Sequence, residues 1–148
     1  FLVALAALVV DRIVKIMAVK GMAPGESVNV ISGIFNITLV HNTGAAFGIF
    51  KGGALVFSIF SAFVIAFVAV YLVMNRTKGR MLAVSLGLIL GGASGNLIDR
   101  VWLGYVIDMF DFRVWPVFNV ADSCITIGTI ILAINILLKK ESHASCTH

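Results

Sequence analysis

Four of the five aspartates in this 148-residue chain fall between Asp99 and Asp122. Three of them sit in short runs, Gly95-Asn96-Leu97-Ile98-Asp99-Arg100, Val106-Ile107-Asp108 and Phe118-Asn119-Val120-Ala121-Asp122-Ser123, with Asp111 between the last two. The surrounding chain is 60% hydrophobic and 12% charged, with a mean hydropathy of +1.07, the composition of an integral membrane protein. A carboxylate at or inside a membrane boundary is costly, so it is usually kept for chemistry, ion movement or a buried pair. Asp108 and Asp122 are the pair that fits general acid/base work on water. If they approach closely, repulsion and desolvation leave one protonated and one ionised. The ionised group takes a proton from water, the protonated one hydrogen-bonds a carbonyl, and no covalent intermediate forms. The rival reading is that both cap helices or pair with arginines.

The neighbouring polar residues extend the pattern. Asn96 and Asn119 can donate and accept in orienting a carboxylate or a substrate backbone. Asn119 and Asp122 are spaced i, i+3 and share a helix face. Asp99 and Arg100 could form a local interfacial pair, but adjacent residues point apart on a helix, so Arg100 is expected to reach another carboxylate or a lipid phosphate. Asp11 and Lys15, spaced i, i+4, are expected to shield each other's charge. Asp111 reads as a solvated neighbour. Gly92-Ala93-Ser94-Gly95 resembles the G-x-S-G stretch of intramembrane serine proteases, yet no hydrophobic segment holds a histidine base, nor is a lysine near Ser94 apparent. Small residues over 91–95 suit close helix packing instead. His41, His143 and His148 form no metal-ligand spacing with each other or with Cys124 and Cys146, so neither a metal nor any other cofactor is implied. About 21 Å of helix between Cys124 and Leu138 excludes a disulfide from Cys124 to Cys146.

These residues must be positioned by membrane-spanning helices. Residues 52–74 and 81–98 carry no charge, and 114–138 only Asp122; residues 1–19 are a fourth candidate, interrupted by Asp11, Arg12 and Lys15. Phe1 in place of Met is read as a start lacking some residues, without signal-peptide features. The net charge of +4 does not mark a nucleic-acid partner, because the basic residues sort by membrane side rather than cluster. Arg76, Lys78 and Arg80 in the loop 75–80, and Lys139 and Lys140 opening the tail 139–148, lie in the cytoplasm by the positive-inside rule. Four spans, about 1–19, 52–74, 81–98 and 119–138, then put both termini there, with loops 20–51 and 99–118 outside. From residue 81 to 98 a helix rises about 27 Å, and from Asp122 to Leu138 about 24 Å, against a hydrocarbon core of about 30 Å. The acids and amides therefore share one depth near the outer surface. Residues 27–31 and 34–41, rich in Val, Ile and Thr around Ser32-Gly33, suggest a small β element. The segment 99–113, with Trp102 and Tyr105, is expected to lie along the interface.

Taken in order, these motifs closely resemble the bacterial lipoprotein signal peptidases (signal peptidase II, the prolipoprotein type). The resemblance covers essentially the whole chain: Asp11 and Lys15, then Asn42-Thr43-Gly44-Ala45-Ala46-Phe47, then the three aspartate runs. It implies a membrane all-α fold: a four-transmembrane-helix bundle forming one peptidase domain over 1–148, with a small extracytoplasmic β cradle and a short interfacial segment. The implied activity is an inner-membrane aspartyl endopeptidase that removes the signal peptide of diacylglyceryl-modified prolipoproteins just before the lipidated cysteine. On that resemblance the catalytic dyad falls on Asp108 and Asp122. Asn42, Gly44, Asn96, Arg100 and Asn119 become orienting or substrate-binding positions, and Asp11 with Lys15 a structural pair. Membrane lipids and globomycin-type inhibitors are implied partners of a monomer. Two other classes fit the residues less well. A proton- or ion-coupled transporter would need polar groups threaded through the membrane depth and more spans, and a non-catalytic assembly module gives clustered acids and amides no purpose.

Overall fold

The computed structural model describes residues 1–44, 53–74 and 79–144, with side chains up to residue 138. The expected loop cations Arg76 and Lys78, the stretch Ala45-Ala46-Phe47, Cys146 and His148 lie outside the described residues, as do the side chains of Lys139, Lys140 and His143. In chain order the elements are α1 (Leu2–Gly21), β1 (Ser27–Ile31), β2 (Phe35–Asn42), α2 (Ala54–Met74), α3 (Arg80–Leu103), β3 (Val106–Asp111) and α4 (Val120–Ala144). By length and composition α2, α3 and the Val120–Leu138 part of α4 can each cross a membrane. The charges of α1 keep it out of that set, although it is as long.

Helix α3 is the centre of the bundle, packed against α1, α2 and α4. Its glycines explain how closely. A Cβ on Gly91 would run into the Ala4 carbonyl oxygen of α1, one on Gly92 would meet the Ala121 carbonyl oxygen of α4, and one on Gly95 would sit 2.6 Å from Asp11 Oδ2. Small residues are thus what lets the backbones of α1 and α4 reach α3. Ser94, within the same stretch, donates its hydroxyl to Leu90 O at 2.8 Å. By contrast α2 leaves Phe60, Phe63 and Phe67 uncovered, an apolar face suited to lipid.

Two features depart from the sequence expectation. Helix α3 runs beyond residue 98 to Leu103, where Gly104 takes a left-handed conformation (φ 80°) and donates its N–H to Arg100 O. The segment expected to lie along the interface then becomes β3. It completes an antiparallel sheet of order β1-β2-β3, with His41 paired to Ile107 and Asn42 to Val106. Val106, Ile107, Asp108 and Met109 are all buried, so β3 is covered on both faces and shows no polar–apolar alternation. Trp102 ends exposed on α3, while Tyr105 stacks on His41 at 4.1 Å between centroids.

Candidate active site

Asp108 stands in the middle of β3 and Asp122 in the first turn of α4. The chain between them folds back onto the strand. Phe118 N–H donates to Phe110 O, while Phe118 O accepts from the N–H groups of Met109 and Phe110. This pins residue 118 beside β3, so α4 must begin there and Asp122 returns toward Asp108. Both line one cavity of about 280 Å³ together with Asn42, Gly44, Asn96 and Arg100. Residues Trp115 to Phe118 wall its other side.

Asparagine amides hold each carboxylate. Asp108 accepts from Asn42 Nδ2 (2.8 Å, to Oδ2) and from Asn119 Nδ2 (2.7 Å, to Oδ1). Asp122 accepts from Asn96 Nδ2 (2.7 Å, to Oδ1), and its Oδ2 lies 3.4 Å from the Asn119 backbone nitrogen. Asn119 is wholly buried behind the cavity, and its own Oδ1 caps α4 by accepting the Asp122 N–H at 2.8 Å. Asn42 also accepts the Gly44 N–H at 3.0 Å, which turns the chain over the cavity mouth. Burial, and behind it the charge of Asp122, push the Asp108 carboxyl up to about 7, against the opposing pull of the Asn42 and Asn119 amides. A carboxyl held there can carry a proton near neutral pH and give it up to a reacting group.

Arg100 lines the cavity, with its guanidinium carbon 5.5 Å from the centroid of the Phe57 ring. It forms no ion pair among the described residues, so of the two partners expected for it, a carboxylate or a lipid phosphate, no carboxylate lies within ion-pair distance. Nor do Asp99 and Arg100 pair with each other. Asp99 turns into the protein to meet Arg12 and Lys15 at 2.7 Å each. The expected Asp11–Lys15 pair is present at 3.1 Å, but as one side of a four-membered cluster that Arg12 and Asp99 complete. Asp11, Lys15 and Asp99 are fully buried there. Spacing along one helix could not reveal Asp99 as their partner, although Asp11, Arg12 and Lys15, three charges in the middle of a mostly apolar α1, do require partners from another element. Asp111 is not free in solvent: it accepts from Thr38 Oγ1 at 2.9 Å and from the Arg113 N–H at 2.8 Å, away from the cavity. Among the described residues no three His, Cys, Asp or Glu side chains converge as a metal-holding group.

Known proteins resemble this chain over nearly its whole length. The family model described as signal peptidase (SPase) II matches residues 3–138. The lipoprotein signal peptidase of Halothermothrix orenii is 45% identical over 132 residues, covering 89% of this chain and 90% of that protein. That of Clostridium acetobutylicum is 41% identical over 145 residues, covering 95% and 94%. A solved structure of a bacterial membrane enzyme superposes with a TM-score of 0.88 at 32% identity, covering 95% of this chain and 88% of that one. A family match of this extent, with relatives so similar from end to end, settles the class: the chain belongs to the signal peptidase II family and is an aspartic-type membrane peptidase.

Proposed function

We propose that this peptidase cleaves the signal peptide from diacylglyceryl-modified prolipoproteins just before the lipidated cysteine, with Asp108 and Asp122 as its catalytic dyad. The observation that carries the reading is one cavity lined by two carboxylates from different elements, each fixed by asparagine amides. The names of the relatives, lipoprotein signal peptidases, support the substrate class.

In this mechanism Asp122 is ionised and Asp108 carries the proton. Asp122 takes a proton from a water molecule whose oxygen attacks the scissile carbonyl carbon, while Asp108 hydrogen-bonds the carbonyl oxygen and transfers its proton to it. The tetrahedral diol collapses with cleavage of the C–N bond. The proton held by Asp122 passes to the departing amine, which becomes the amino group of the lipidated cysteine, and the other hydroxyl proton returns to Asp108. Asn96 and Asn119 fix the dyad, Asn42 and Gly44 border the path of the peptide, and Arg100 stands at the rim for the substrate backbone or the lipid ester. In a bacterial inner membrane all four helices span, both termini are cytoplasmic, the dyad lies at the outer face, and the sheet covers it as a cradle. Globomycin-type peptides would occupy the same cavity of a single protomer.

The test uses one prolipoprotein, with and without its diacylglyceryl group, in the same detergent. Two acyl chains, each buried methylene contributing about 0.8 kcal/mol of membrane affinity, hold the cysteine at the depth of Asp122. Remote binding energy used for positioning raises turnover as well as affinity, so the lipidated form should be cleaved with kcat/KM at least about tenfold higher, directly before the cysteine. Equal values for the two forms would overturn the substrate assignment.

A further inference from the structure

The buried cluster behind the cavity is a closed ring. Arg12 bridges Asp99 Oδ1 (2.7 Å, from Nη1) and Asp11 Oδ2 (2.9 Å, from Nη2), and Lys15 Nζ bridges Asp99 Oδ2 (2.7 Å) and Asp11 Oδ2 (3.1 Å). Two acids and two bases balance in charge. What the ring does with its remaining hydrogen-bonding capacity is specific. Asp11 Oδ1 accepts the N–H of Ala121 at 3.0 Å, and Asp99 Oδ2 accepts the N–H of Ile107 at 3.2 Å. Ala121 immediately precedes Asp122, and Ile107 immediately precedes Asp108. The third ammonium hydrogen of Lys15 goes to Asn96 Oδ1 at 3.0 Å, and Asn96 in turn donates to Asp122.

We propose that this ring is a positioning device for the dyad: Asp11 and Asp99 each hold the peptide group one residue before a reacting aspartate, while Arg12 and Lys15 fix the span between those two holds. The proposal rests on the reading of Asp108 and Asp122 as the dyad. Helix packing alone does not call for it, because an apolar residue set of the same volume holds helices together as well as a buried ion cluster does. The ring supplies direction instead. It ties the start of α4 and the middle of β3 to a single rigid body made by α1 and α3, so neither aspartate can drift without the other. A displacement of about 1 Å at a reacting group can cost on the order of a hundredfold in rate.

The ring's charge balance makes the test directional. Asp108 is faced by Asp122 from α4, Lys15 from α1 and Arg100 from α3. Asp99→Asn leaves the ring with one excess positive charge, which favours ionised carboxylates and should move the falling, alkaline limb of the rate profile to lower pH. Arg12→Gln leaves one excess negative charge and should move that limb to higher pH. Both variants of the full-length protein should lose kcat by roughly ten- to a hundredfold with KM within about threefold. Arg12→Lys, which keeps the charge, should recover most of kcat with the limb in its wild-type position. Asp108→Asn is assayed alongside, and thermal unfolding reports the folded fraction. If Asp99→Asn does not fold, the Arg12 variants decide, since that side chain lies at the edge of the cluster and is 26% exposed. Losses that follow the unfolded fraction, with both limbs unmoved, would reduce the ring to a structural role and overturn the proposal. Wild-type kcat in folded Arg12→Gln and Asp99→Asn, with Asp108→Asn inactive, would overturn the ring but leave the dyad. An active Asp108→Asn would remove the dyad and the ring's purpose with it.

Discussion

Asn96 gives its amide hydrogen to Asp122 and nothing else in the site could turn that amide around. Its Oδ1 already accepts from Lys15 Nζ at 3.0 Å and from Asn119 Nδ2 at 3.1 Å. A flipped amide would set an NH2 group against an ammonium and a second NH2, and would turn its oxygen onto the Asp122 carboxylate. One asparagine therefore links a buried lysine to a cavity carboxylate with a single allowed orientation.

Asn96→Asp should exploit this. The new carboxylate would keep Lys15 and Asn119 as donors, so the protein should fold with a melting temperature close to that of the wild type. It would also stand at hydrogen-bond distance from Asp122, where two carboxyls share one proton, so Asp122 would no longer be held free to act as the base. Turnover should fall by about a hundredfold or more. A variant with full kcat would mean that the Asn96–Asp122 bond has no part in the chemistry.

For the dyad itself, Asp108→Asn and Asp122→Asn should each reduce kcat by at least about a thousandfold while leaving a folded protein. Neither variant can both activate water and protonate the carbonyl. The double variant should be little worse than either single one, because groups acting as a unit are not additive. Turnover of a lipidated substrate within about tenfold of wild type by either single variant would place the chemistry elsewhere.

The Asp108 carboxyl, pushed up to about 7, sets the pH behaviour. It must be protonated to serve the carbonyl, so kcat/KM should fall as pH rises through about 7, and the two limbs of the bell belong to the coupled pair. The same shift acts on stability. A carboxyl with a raised folded-state pKa binds its proton more tightly when folded, so its contribution is complete below about 4 and is lost as pH rises through about 7. Melting curves from pH 4 to 8 should show the wild type losing stability over that range more steeply than Asp108→Asn. Parallel curves and a flat rate profile to pH 9 would contradict the assignment of the proton.

Much of this site is legible in the sequence because depth along a helix is simple to count. Residues 81–98 and 122–138 bring Asn96 and Asp122 to one level, and the β1 boundaries, 27–31, follow from its Val and Ile content. Strand β3 is not legible in the same way. Buried on both faces, it carries no alternation, and its partner β2 is some 70 residues distant in the chain. The ring was hidden for a related reason. Asp99 lies beside Arg100 in sequence, where neighbours point apart and no partner is named, and α3 turns Asp99 inward toward α1, 87 residues away, to meet Arg12. Periodicity assigns faces; it does not say which helix a face meets.

Asp111→Asn should separate the dyad from its neighbour. Asp111 binds Thr38 and the Arg113 N–H outside the cavity, so the substitution weakens one sheet contact, worth about 1 kcal/mol, and leaves the chemistry untouched. Its kcat should stay within about twofold of wild type. Inactivity equal to that of Asp108→Asn would show that the wrong strand aspartate had been chosen.

Gly95→Ala tests whether close packing of α3 on α1 is needed for the acids to sit where they do. A Cβ at Gly95 would lie 2.6 Å from Asp11 Oδ2 and 3.5 Å from the Ala121 Cβ, so something must move. The Asp11 carboxylate is the softer neighbour, but it is fully buried and already bound to Arg12, Lys15 and the Ala121 N–H. Displacing it strains all three at once, and overpacking of this kind typically costs about 1–3 kcal/mol. Gly21→Ala is the matched control, since its added methyl would meet nothing within 4 Å and Ala is the better helix residue there. Melting in detergent should therefore drop for Gly95→Ala and hold or rise slightly for Gly21→Ala. The activity loss in Gly95→Ala should exceed what its folded fraction explains, because the shift of Asp11 passes through Ala121 to Asp122. If Gly95→Ala melted and turned over like the wild type, α1 would have room to retreat from α3, and the close approach of these helices would not be what fixes the site.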